Sequence, residues 1–312
     1  MKIAFFTEGN YRGKIDRQYA GRTDQAWIAA LDAVHCPIFQ KLDDSVDLGI
    51  IVPPKKFDGY FTDIVDQCKL QCGKIAVMQE GDHRLFWQDR PLWQQMDYLQ
   101  MLSLADILYC HNEYDQKYFQ GLVQHSDVRI LPTLMIEDAI PKGQLKNNID
   151  RSGTMINGNW CSWYGAGDSY FIAQEFNEPI YAPQMGRMNA GELGIESITH
   201  VPYTTWDNWM IELSKRKYAV NLMRTIAAAS FSLNAAWLGI PTIGWDVQDT
   251  QRLCFPALSV SMGDMVTARK MGKHLAENDL FYQHCSEYAK KAVNDMYSEE
   301  QFLKRFYEPF GE

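Results

Sequence analysis

Arg224 ends an apolar run, YAVNLMR (218–224), that reads as a buried strand with no packing use for a guanidinium. Thr225 to Ser230 follow it, mostly small residues, and lead into SFSLNAAWLG (230–239), which has helical spacing. A helix starting there points unsatisfied N–H groups and its positive dipole end outward. Phosphate suits such a place, and Arg224 adds a charge-assisted contact to a diphosphate. Packing alone explains Leu233, Ala236, Gly239 and Pro241, but it explains Arg224 poorly. A second group crowds the end of another apolar run: Glu80, Asp82, His83 and Arg84 in QEGDHRLFWQDR (79–90). A carboxylate or imidazole there could act as general base toward a hydroxyl. The plainer alternative is a polar loop with a capping Asp. A third group is GTMINGNWCSWYGAGDSY (153–170), with Gly158, Gly165, Gly167, Trp160 and Asp168. It reads equally as a phosphate-facing loop or as a capped helix start. It is neither a Walker loop nor a full G-x-G-x-x-G.

Glu8, Gly9 and Gly13 follow the first strand and would line the same region as the 79–90 group. YRGKIDRQYAGR (11–22) carries Arg12, Lys14, Arg17 and Arg22 against a single acid, Asp16. It is a solvated loop or a handle for a polyanion. His111 and Glu113 stand where a strand gives way to a helix, and capping is the expected role. The remaining histidines make no ligand pair with a carboxylate. Cys68 and Cys72 are one helical turn apart with no second pair, so no zinc site is expected. With no Asp-x-Asp pair either, no bound metal is expected. The nine tryptophans, Trp160, Trp163, Trp206 and Trp245 among them, fall near strand ends, where core and rim packing is their default role.

Alternating strands and helices must position these groups. Strands are expected at 2–8, 47–53, 74–81, 106–112, 128–134, 153–159, 179–185, 199–204, 218–224, 241–246 and 257–262. Helices are expected at 23–34, 60–70, 91–105, 113–122, 168–176, 206–216 and 230–239, with a largely helical end from Gly263. The alternation implies parallel sheets covered on both faces. Residues 135–150 break the rhythm and make the best linker. The expected domains are 1–140 and 151–296, with a final helix, 297–312, crossing back to the first. The fold class is α/β, two doubly wound Rossmann-like domains facing a cleft.

The 312 residues suit two domains, and 46% apolar and 13% aromatic residues suffice for two cores. The net charge of −9 repels nucleic acid and anionic membranes at long range, without excluding a local basic patch. No apolar run reaches the roughly 18 residues of a membrane span. The first apolar run stops at Glu8, so a strand is expected there and not a secretory leader. Seven cysteines, an odd number, several in strand-like segments, fit reduced thiols in a cytoplasmic protein.

LNAAWLGIPTIG (233–244) resembles the donor-site helix of glycosyltransferases of the B type (GT-B), where Gly-x-Pro precedes two β-formers. VPYTTWDNWMIELSKRKYAVNLMRT (201–225) is similar to the stretch before that helix, and AVMQEGDH (76–83) and LADILYCHNEYDQKYFQGL (104–122) to acceptor-domain elements. The resemblance implies a nucleotide-sugar donor, no cofactor beyond that co-substrate, and metal-independent transfer of a hexosyl or pentosyl group. It places Arg224, Thr225, Ser230, Asn234 and Tyr203 at the donor, with Gly186, Arg187, Asp249 and Thr250. It places Glu80, Asp82 and His83 at the chemistry. Glu8, Gly9, Arg12, Lys14, Arg17, Arg22, Trp160 and Gly165 fall on the acceptor side or along the cleft. The sequence departs from many retaining members. Their two glutamates, eight positions apart, fall here on Ile226 and Asn234.

Three other readings compete. One is a glycosyltransferase acting on hydroxymethylated pyrimidines of phage DNA, favoured by the 11–22 loop and disfavoured by the acidic total. Another is a two-lobed nucleotide- or sugar-binding protein without catalysis, against which the Glu80–His83 cluster argues. The last, a nicotinamide-dependent oxidoreductase, lacks a glycine fingerprint after the first strand, where EGNYRG (8–13) stands.

Overall fold

The computed structural model describes residues 1–81, 90–124, 127–161, 163–184, 186 and 188–311. The chain divides into two compact units, Met1–Asp138 with Phe302–Glu312, and Ala139–Gln301. Among the described residues, each unit holds one six-stranded sheet, parallel throughout.

In the first unit the strands are β1 (Ile3–Thr7), β2 (Val34–Pro37), β3 (Val46–Ile51), β4 (Cys72–Met78), β5 (Ile107–Cys110) and β6 (Val128–Ile130). The helices are α1 (Thr23–Ala30), α2 (Phe61–Lys69), α3 (Leu92–Leu104) and α4 (Glu113–Leu122). β2 lies in a segment not expected to form a strand. The helix expected at 23–34 stops at Ala30, Asp32 turns with a φ of +48°, and the short VHCP run then pairs with β1. Phe6, Ile51, Val77 and Leu108 pack with Phe61, Ile64, Tyr98, Met101 and Phe119 from the helices to form the core. The α2 start is capped from another helix. The buried Asp97 of α3 accepts from the Phe61 amide, from Thr62 Oγ1 at 2.7 Å and from the Thr62 amide at 3.4 Å. A carboxylate suits this place because the orphan N–H groups and the dipole both favour negative charge.

The second unit holds β7 (Thr154–Ile156), β8 (Ile180–Pro183), β9 (Ile198–Val201), β10 (Tyr218–Asn221), β11 (Thr242–Trp245) and β12 (Ser259–Val260). Its helices are α5 (Ala166–Ala173), α6 (Trp206–Ser214), α7 (Ser230–Leu238), α8 (Asp249–Cys254), α9 (Met265–Glu277) and α10 (Asp279–Tyr297). Arg151 ties two helix ends together, donating to Ser214 O and Leu238 O, both at 2.9 Å, which satisfies last-turn carbonyls. A last helix, α11 (Glu299–Tyr307), carries the chain into the first unit from Phe302 onward. There Phe306 stacks on Tyr109 with ring centroids 6.1 Å apart, and the Arg129 guanidinium lies 4.6 Å over the Phe310 ring. Among the described residues, no helix is long and apolar enough to cross a membrane.

The strand orders mark where each sheet reverses its direction of winding. The second sheet runs β12-β11-β10-β7-β8-β9, so its direction of winding reverses between β10 and β7. The first runs β2-β1-β3-β4-β5-β6, and reverses between β1 and β3. Ligands of doubly wound sheets bind outside the carboxyl ends of the strands at such reversals.

Candidate functional site

At the β10/β7 reversal the chain leaves β10 through Leu222 and Met223 and reaches Arg224, whose side chain is 64% exposed. Its Nε donates to one oxygen of Asp168 at 3.0 Å and its Nη2 to the other at 3.1 Å. Asp168 sits in the first turn of α5. Gly165, at the N-cap of that helix, is left-handed with a φ of +60°. A Cβ there would lie 3.3 Å from Cγ, Cδ and Nε of Arg224, so the arginine stem rests on the glycine.

α7 begins at Ser230, after the loop 225–229 that follows Arg224, and no side chain caps it. Ser230 is exposed at its first position, and Ala229 before it is left-handed with a φ of +48°. The loop leading to it is held from behind. Gln248 Nε2 donates to Thr225 O at 2.8 Å, Thr250 Oγ1 to Ala229 O at 3.1 Å, and the Thr225 hydroxyl to Trp163 O. Under the loop runs a buried chain of amides and hydroxyls. Asn157 donates to Asn221 at 2.6 Å, and Asn221 to Ser232 at 2.7 Å and to Gln248 at 3.0 Å. Ser232 donates to Gln251 at 2.8 Å, which donates to Thr242 O at 2.8 Å. These groups satisfy one another, so the rear of the loop is closed. The first-turn N–H groups of α7 form its anion-attracting side.

The structure thus brings Arg224, Thr225 and Gly165 to one strand end, with Ser230 opening the helix at the far end of the loop and Thr250 as a brace behind. Asn234 is different: it is buried, its amide oxygen accepting from Trp209 Nε1 at 3.1 Å and its nitrogen donating to Ser230 O at 3.3 Å. Asp249 accepts from Arg252 Nη2 at 3.1 Å, one turn along its own helix. Tyr203 is exposed just beyond β9. Gly186 follows β8, and Arg187 lies outside the described residues. The Trp160 carbonyl accepts from Asn189 Nδ2 at 2.9 Å, and its ring lies 5.8 Å from Tyr170.

At the β1/β3 reversal of the first unit, Glu8 accepts from the Lys55 amide at 3.0 Å, and the Lys55 ammonium lies 3.3 Å from Glu80. Arg90 donates to Phe57 O at 2.6 Å and to Lys55 O, which fixes the turn carrying Lys55. Burial raises the Glu80 pKa, but Lys55 and His111 outweigh it, so Glu80 stays ionised below the usual carboxylate range. His111 is buried and stacks on Trp27 at 5.5 Å. Burial pushes its pKa down to about 4, against Glu80 and the Leu131 backbone, which favour the charged form. Asp24, at the start of α1, is shifted up by burial and then by Glu80. Two neighbouring carboxyls pushed apart in this way suit different protonation states.

Glu8 and Glu80 come together here, as the sequence suggests, while Asp82 and His83 lie outside the described residues. His111 takes no capping role. Its ring is packed inward, with both nitrogens buried. Lys55 and Asp24 escaped sequence reading; the only signal for Lys55 was a cation just past an apolar strand. Gly9 is hemmed in, since a Cβ would lie 3.2 Å from His35 and Tyr11 atoms. His35 Nδ1 donates to Tyr11 O at 2.6 Å, which leaves Nε2 to accept from Thr7 Oγ1 at 2.8 Å. The basic loop beyond is locally neutralised. Arg12 pairs with Asp43 at 2.7 Å, Lys14 with Asp32 at 2.5 Å and Arg17 with Asp138 at 2.6 Å. Arg22 lies near Asp24 and lowers its pKa.

No family model and no curated protein matches this sequence. Solved structures do. A sucrose-phosphate synthase from Thermosynechococcus elongatus is similar at a TM-score of 0.70 and 9% identity, over 99% of this chain and 98% of that one. An alpha-glucosyltransferase in complex with UDP and a 13-mer DNA containing a HMU base is similar at a TM-score of 0.68 and 10% identity, over 100% of both chains. TarM of S. aureus, in a structure with UDP, gives 0.64 and 10% over 85% of this chain, which spans 55% of TarM's length. These likenesses cover both units and show the GT-B type of fold, two doubly wound α/β units.

Proposed function

We propose that this chain is a glycosyltransferase that moves a sugar from a nucleotide-sugar donor to an acceptor hydroxyl. One observation carries the reading: an uncapped helix start, that of α7, follows Arg224 along the loop that leaves β10 at the β10/β7 reversal, on a fold shared with structures that hold UDP. The donor diphosphate would take the first-turn N–H groups of α7 and the guanidinium of Arg224. Tyr203 and Thr225 remain donor contacts in this proposal, whereas Asn234 acts by joining α6 to α7. The transferred group is a hexosyl or pentosyl unit. Helix dipole and Arg224 supply the positive charge that a divalent cation supplies elsewhere. Among Glu80, Asp82 and His83, Glu80 fits a charge stabiliser better than a base, because its lowered pKa makes its carboxylate a weak proton acceptor that keeps its negative charge.

Calorimetry with UDP, GDP and ADP, followed by transfer assays with the matching sugar donors, tests this. A nucleoside diphosphate is expected to bind, and Arg224→Ala to weaken it by about 1.5–3 kcal/mol, the worth of a charged hydrogen bond. Unchanged affinity in that variant removes Arg224 from the site. Turnover abolished by chelator and restored only by manganese or magnesium overturns the metal-independent mechanism.

DNA as acceptor is the second reading, favoured by the full-length likeness to a structure containing DNA. The ion pairs of Arg12, Lys14 and Arg17 weigh against the 11–22 loop as its handle. Retention on duplex DNA that falls with salt, and glucosylation of a hydroxymethylated duplex, would support DNA. Their absence at low salt points to a small molecule or glycan.

A further inference from the structure

A carboxylate beside a diphosphate site looks like a defect, because it repels the ligand. Asp168 nonetheless grips Arg224 through Nε and Nη2, at 3.0 and 3.1 Å. A guanidinium has five N–H groups. The edge that Asp168 occupies leaves Nη1 and the second hydrogen of Nη2, enough for a further two-point contact. The same helix start also shapes the stem, since Gly165 lies within 3.3 Å of three Arg224 atoms at its missing Cβ. Asp168 thus holds the head of one exposed side chain while Gly165 admits its stem.

The geometry points to Asp168 as a positioning residue that presents Arg224 to the donor diphosphate, with Gly165 as the seat of the arginine stem. This rests on the donor reading above. An exposed arginine loses rotamer entropy when a ligand fixes it. Asp168 fixes it beforehand, so less is lost on binding. Two arguments then predict opposite signs. Simple electrostatics says that removing the Asp168 charge tightens diphosphate binding. Positioning says that it weakens binding, but only while Arg224 is present.

A double-mutant cycle separates them. UDP affinity is measured by calorimetry for the wild type, Asp168→Asn, Arg224→Ala and the double variant, with the ligand-free unfolding midpoint of each. Asp168→Asn is expected to weaken UDP about fivefold to tenfold, the worth of one net hydrogen bond. In the Arg224→Ala background the same change is expected to be neutral or to tighten binding. Tighter binding by Asp168→Asn with Arg224 present overturns the role, as does equal weakening in both backgrounds, which marks a merely structural effect. A folded wild type that binds none of UDP, GDP, ADP or inorganic pyrophosphate overturns the donor reading and this role together.

Discussion

His111 is a neutral base held among charges, and that fixes the sign of its effect on stability. Its folded pKa is about 4, against about 6.5 for a free imidazole. As pH falls through the interval between them, the unfolded chain takes up a proton that the folded one refuses. Stability therefore declines from about pH 6.5 toward pH 4, by up to about 3 kcal/mol. His35 is shifted down by burial too and adds the same sign. His111→Phe preserves a ring against Trp27 and removes the titration. The gap in urea midpoint between pH 7 and pH 5 is expected to shrink in that variant, and an unchanged gap would assign the loss elsewhere. Glu80 behaves differently, because its pKa is lowered, so its folded form favours the charge over the neutral acid. Glu80→Gln is expected to cut turnover by roughly 100-fold with UDP affinity retained. Wild-type turnover in that variant would move the chemistry toward Asp82 and His83. Arg224 and Glu80 were legible in the sequence because each is a charge directly after an apolar strand. Lys55 and Asp24 were not, since a Lys in a Pro-Pro-Lys-Lys turn and an Asp at a helix start look like ordinary surface residues. Only the convergence of strand ends gives them neighbours.

α7 carries left-handed residues at both ends, and the two have opposite chemistry. Ala229, before it, has a φ of +48°, and Gly239, after it, a φ of +67°. Alanine in that region costs about 1–2 kcal/mol, and Thr250 and Gln248 hold the loop that imposes it. Ala229→Gly relieves the strain but loosens the unfolded chain, so stability should rise by no more than about 1 kcal/mol. Gly239→Ala adds strain and places a Cβ 2.2 Å from Lys290 Cε and 2.8 Å from Ser286 Oγ. It is expected to cost about 1–3 kcal/mol. Denaturant unfolding of both variants checks the contrast, and a loss of more than 1 kcal/mol in Ala229→Gly would show that the turn is not strained. Strand positions other than that of β2 were legible from apolar runs, but their carboxyl ends were not. The runs at 106–112, 128–134, 153–159 and 199–204 all continue past strands that stop at Cys110, Ile130, Ile156 and Val201. There the backbone leaves the sheet to form loops, and hydropathy does not register that departure.

At the scale of the whole molecule, the first unit is closed by residues that follow the second in the chain. Phe306 against Tyr109, and Phe310 under the guanidinium that Asp127 grips at 2.6 and 2.7 Å, fasten the segment from Phe302 to the β5–β6 edge. A chain ending at Gln301 is expected to lose hydrogen-exchange protection in β5 and β6 while β7, β10 and β11 keep theirs. Uniform loss across both sheets would show that the units do not unfold separately. Translation meets this arrangement in an awkward order. Multidomain chains generally fold from the N-terminus as they leave the ribosome. Here the first unit lacks its closing segment until all of Ala139–Gln301 has been made. At roughly 5–20 residues per second, that is a wait on the order of ten seconds. During it the Tyr109 surface lies open to chaperones, and a nascent chain cut short keeps it so.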